Sequence, residues 1–161
     1  MAITWGKLTD LIENGKALTI NGALFFVFSQ QENQLFALEL NTGAPNNDEF
    51  GQLFLHGVDA KGVRLDQIGG EYAPFTKDIK VFEGLPIDRI TLYQEGEFYR
   101  SFDFIQKQDS FIIRANTIKE GEDLRDRWGA NILGLNNESL NILANEVLPQ
   151  IIQYILRELL S

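Results

Sequence analysis

The chain has 161 residues, a formal net charge of −9 at pH 7 and no cysteine. This length suits one domain, residues 1–161, with its own core, while the missing thiols exclude disulfides, thiolate metal sites and cysteine nucleophiles. Scattered lysines and arginines exclude ordinary nucleic-acid binding, and the lack of both a long apolar run and a basic-then-apolar leader points to a cytoplasmic protein with no membrane partner.

Residues 4–14 read as a short N-terminal helix, with Trp5, Leu8, Leu11 and Ile12 on one face and Asn14-Gly15 as a stop. The period then changes. Residues 17–20 read as a strand, Asn21-Gly22 as a type I′ hairpin turn, and 23–29 (ALFFVFS) as a central strand buried on both faces. Residues 34–40 alternate and complete a first antiparallel meander. Residues 41–48 (NTGAPNND) are a loop by composition.

Residues 50–57 return to strand. From 58 to 80 glycines and Pro74 interrupt every period, leaving a short strand over 63–68. A short strand at 81–82 precedes 88–93 (DRITLY), the Glu95-Gly96 turn, 98–105, a turn over 107–110 and a last strand over 111–115: a second meander. The charge-balanced stretch 119–131 reads as a short helix over 122–128 or as an ordered loop. The twelve phenylalanines suit an aromatic core carried on strands.

Residues 136–161 form the strongest pattern. Leu140, Leu143, Ala144, Val147, Leu148, Ile151, Ile152, Ile155, Leu156, Leu159 and Leu160 recur at steps of three and four, the period of one helix face. Pro149 falls on the polar side with Asn145 and Gln153, so the spacing predicts one kinked helix. The fold class expected is α+β: a short N-terminal helix, a curved antiparallel sheet of two meanders with about 6–8 strands, and a long kinked C-terminal helix packed on the sheet. A sheet holding one long helix resembles, in architecture alone, the helix-grip proteins. That resemblance implies an apolar ligand between helix and sheet.

Chemistry is sparse in the sequence. His56 with Asp59 is the best acid–base candidate, and no G-x-S-x-G nucleophile completes it. The carboxylates Asp59, Asp66 and Glu71, and Glu120, Glu122, Asp123 and Asp126, fit no calcium-loop spacing. No glycine pattern cradles a phosphate, so neither cofactor nor metal is expected. Arg100 and Arg114 lie on neighbouring predicted strands and suggest an anion site if they share the concave side. The margin of the C-terminal stripe, Leu148, Ile152, Leu156 and Leu160, offers a partner surface. Two functions follow. One is a non-enzymatic protein-interaction or assembly module that binds a partner or itself. The other is a binder of a small apolar ligand, with a phenylalanine-lined pocket between sheet and helix.

Overall fold

In the computed structural model of the chain, residues 17–108 and 110–160 are described; the helix expected over 4–14 lies outside them. The order is helix α1 (Ala17–Ser29), α2 (Gln31–Thr42), a π-helical turn (Gln52–His56), α3 (Leu65–Gly69), α4 (Pro74–Phe82) and α5 (Glu97–Arg100). Then come β1 (Asp103–Gln106), β2 (Phe111–Arg114), β3 (Ile118–Lys119), β4 (Glu122–Asp123), α6 (Leu124–Trp128), a 3₁₀ turn (Ala130–Ile132) and α7 (Asn137–Leu160). The architecture is α+β, with a long C-terminal helix as expected. The sheet is corrected. Among the described residues there are two separate two-stranded antiparallel sheets, β1–β2 and β3–β4, in place of 6–8 strands in curved meanders.

The first meander is helical. Residues 17–29 form α1, so Asn21-Gly22 lies inside a helix and makes no hairpin. A short continuous apolar run has no period to separate a buried strand from a buried helix. The tertiary contacts decide: Ala23 and Val27, one helical turn apart, are buried, Ala23 beside Ile155 and Val27 beside Leu143 and Val147. In α2, Asn33, Ala37, Leu40 and Asn41 share the buried face, a 3.6-residue period hidden inside an apparent alternation. The strands expected over 50–57, 63–68 and 81–82 are likewise the π-helical turn, α3 and the end of α4.

Of the second meander only the hairpin survives. β1 pairs with β2 in the register Asp103↔Arg114 to Gln106↔Phe111, and Lys107 N–H closes the turn on Ser110 O at 2.8 Å. Residues 98–100, expected as the start of a strand, belong to α5. Residues 88–93 belong to no strand. Their backbone is satisfied by side chains instead: Tyr72 Oη accepts from Thr91 N and Leu92 N, Tyr99 Oη donates to Thr91 O, and Lys80 Nζ donates to Tyr93 O. The sequence alternation is that of a strand, but tyrosine hydroxyls take the place of a neighbouring strand.

One face of the hairpin joins two parts of the core, because the cross-strand neighbours Phe104 and Ile113 lie on the same side of it. Phe104 faces a cluster with Val27, Ala37, Leu40, Leu143 and Val147, where α1, α2 and α7 meet. Ile113 faces a second cluster with Leu53, Leu65, Ile90, Phe98, Phe102, Trp128 and Ile132. Phe28, Phe104 and Phe111 stack over the hairpin, with ring centroids 4.7 to 6.0 Å apart. α7 runs unbroken through Pro149, which is exposed as its spacing predicts. The neighbouring Gln150 turns half inward and exchanges amide hydrogen bonds with Asn33 at 2.7 and 3.1 Å.

Two further close fits set the path. Asn41 is fully buried; its Nδ2 donates to Ile132 O and its Oδ1 accepts from Gly134 N. Gln52, also buried, donates to Gly134 O and accepts from Asn136 N. Together they clamp the segment that launches α7. Gly69 ends α3 against α6: a Cβ there would lie 2.6 Å from Trp128 Cε3 and 2.7 Å from Arg127 O.

Candidate interaction surface

α4 starts with Pro74 at its first position, where the missing N–H costs nothing. Its burial runs opposite to the usual sense. Lys80 is 3 % exposed, whereas Phe75 is 75 %, Val81 60 % and Phe82 92 % exposed. A helix that served only its own core would turn the aromatics inward and the lysine out. The reason is local. Lys80 reaches the Tyr93 carbonyl at 2.5 Å and lies over the Tyr72 ring, 4.5 Å from its centroid. Its ammonium thus fastens the irregular 88–93 segment to the helix. Lys77 is held by Glu71 at 2.8 Å. With both lysines engaged, the outward side carries Phe75, Asp78, Val81 and Phe82.

A second apolar area lies on α1, where Leu24, Phe25 and Phe26 are exposed. Phe26 stacks on Tyr154 of α7 with centroids 5.0 Å apart, beneath the Arg157 guanidinium. Beside it a depression of about 330 Å³ runs between α1 and the hairpin, lined by Leu24, Phe25, Phe28 and Phe111 with Gln106 and Lys107 at its edge. Among the described residues none of α7 lines it, so it lies elsewhere than the pocket expected between sheet and C-terminal helix.

The residues singled out from sequence are dispersed. His56 is exposed at the end of the π-helical turn. Asp59 is buried, and its Oδ1 accepts from Lys61 N at 2.8 Å and Val63 N at 3.0 Å, closing a turn. Arg100 donates to Glu95 O. Arg114 pairs across the hairpin with Asp103 at 3.1 Å, both exposed, so the two arginines serve different partners. Leu148, Ile152 and Leu156 are half-buried and Leu160 is exposed. Of the carboxylates, Arg64 holds Asp66 below its ordinary pKa, and the Arg125 side chain and N–H hold Asp123 far below the usual carboxylate range. Among the described residues no group of three or more His, Cys, Asp or Glu is placed to hold a metal ion. Nor is any helix among the described residues long and apolar enough to cross a membrane.

The α4 face was missed because residues 58–80 read as broken loops. Its signal was present: Phe75 and Phe82 are seven residues apart after Pro74. Compared with protein-family models, curated proteins and solved structures, the chain matches none.

Proposed function

We propose that the protein is a non-enzymatic interaction module that engages a protein partner through exposed apolar helix surface. The observation that carries this reading is α4, which buries Lys80 and presents Phe75, Val81 and Phe82 to solvent. Two large aromatics two turns apart on one face are the anchor pattern by which helices enter grooves. The exposed end of α7 at Leu160 adds apolar surface of the kind expected from the C-terminal stripe.

The test compares wild type with a Phe75→Ser/Phe82→Ser variant by size exclusion in extracts of the native cell. Wild type elutes in a larger assembly, and the variant elutes with the purified chain while keeping its melting temperature. Identical elution of the two would contradict the reading. The alternative function, a small apolar-ligand binder, draws support from the depression lined by Phe25, Phe28 and Phe111. A medium-chain fatty acid that shifts the melting temperature of wild type but not of Phe28→Ser would favour it. Equal shifts, or none, would count against it.

A further inference from the structure

The charges on α4 narrow the partner, given the interaction reading above. Phe75 and Phe82 lie two turns apart, about 10 Å along the axis and within about 20° of one another around it. Asp78 sits between them on the same exposed side, midway along the helix. It pairs with no cation among the described residues. Lys77 is drawn off to Glu71 and Lys80 is buried on the Tyr93 carbonyl. The outward face is therefore apolar with one negative charge at its centre, and Glu83 follows at the C-terminal end, also exposed.

That arrangement discriminates among occupants. In an antiparallel two-fold pairing of α4 with a second copy, the midpoint residue meets itself. Asp78 would face Asp78, like charges in a closing apolar contact. An anionic bilayer or a nucleic acid meets the same repulsion, with no outward lysine on this helix to offset it. A cation opposite Asp78 removes the conflict and fixes the register of the two aromatics. We propose that the outward face of α4 docks into an apolar cleft of a partner protein that takes Phe75 and Phe82 and sets a lysine or arginine against Asp78.

The probe is a phage-displayed library of two-helix scaffolds with a randomised cleft, selected on the full chain. Clones are kept if they bind wild type but not Phe82→Ser. Phe82 is almost fully exposed, so this substitution leaves the fold intact, checked by circular dichroism. The expected clones carry lysine or arginine among apolar cleft residues. They weaken about thirtyfold or more with Phe82→Ser and about tenfold with Asp78→Lys, and added salt weakens them further. Phe82-dependent clones that are neutral or acidic, and indifferent to Asp78→Lys, overturn the assigned chemistry while leaving the interaction reading standing. A failure to obtain any Phe82-dependent clone overturns both. A wild-type dimer that Phe82→Ser abolishes overturns the proposal in favour of a second copy. Co-sedimentation with phosphatidylserine vesicles that Phe82→Ser abolishes does so in favour of a membrane.

Discussion

Replacing Asn41 by leucine tests how α7 is attached to the rest of the protein. Leucine keeps the branched heavy-atom skeleton of asparagine, so the change removes hydrogen bonds without opening a cavity, and its bulkier methyls add strain at this closed site. Asn41 Nδ2 donates to Ile132 O at 3.1 Å and Oδ1 accepts from Gly134 N at 2.7 Å. Both backbone groups lose their partner. An unsatisfied buried group costs about 1–3 kcal/mol. Ile132 is fully buried, whereas Gly134 is half-buried and open to water, which places Asn41→Leu at about 2–4 kcal/mol. Gln52→Met frees Gly134 O and Asn136 N, both half-buried, and costs about 1–3 kcal/mol. The residues share Gly134, so the double variant departs from additivity. Against the usual stability of about 5–15 kcal/mol, each loss is large. Urea unfolding followed by circular dichroism measures it. A loss below about 0.5 kcal/mol for Asn41→Leu would refute the clamp, since ordinary surface changes fall in that range.

Other substitutions probe other parts of the fold. Gly69→Ala drives a methyl into the Trp128 ring and the Arg127 carbonyl and destabilises by about 1–3 kcal/mol in thermal or urea unfolding. On α7, Ile155→Ala costs about 2–4 kcal/mol because the side chain is buried beside Ala23. Leu160→Ser, at an exposed site, changes stability by less than about 0.5 kcal/mol. The Tyr99 hydroxyl end is sunk against the buried Thr91 carbonyl, and burial raises its pKa well above the ordinary phenol value of about 10. The folded state then holds that proton more tightly than the unfolded state does. Stability from this group is complete below about pH 10 and declines as pH rises above it; Tyr99→Phe flattens that alkaline slope in denaturation measured across pH.

The long C-terminal helix was legible because many apolar positions repeat at helical spacing, and Pro149 falls where a missing N–H meets water. The charge-balanced stretch that forms α6 left helix and loop both open, whereas the β1–β2 hairpin was legible because a polar turn over 107–110 separates two apolar runs. The first meander was not. In ALFFVFS every position is apolar except the last, so pattern cannot choose a face, and packing against α7 selects the helix. Residues 88–93 alternate like a strand, but their partners are the side chains of Tyr72, Lys80 and Tyr99 and not the backbone of a neighbouring strand. The α4 surface was hidden because glycines and Pro74 break every period over 58–80, so no helix was expected there. Only the Tyr93 carbonyl and the Tyr72 ring show why Lys80 points in.

Photo-crosslinking from position 82 tests the central claim most directly. A benzophenone side chain replaces Phe82 in the native cell, with Gln67, another exposed residue, as the control position. The account predicts a discrete protein adduct from position 82 that is absent at 67, is lost when Phe75→Ser is added, and weakens with Asp78→Lys. Equal labelling from both positions, or an adduct indifferent to Phe75, would contradict it.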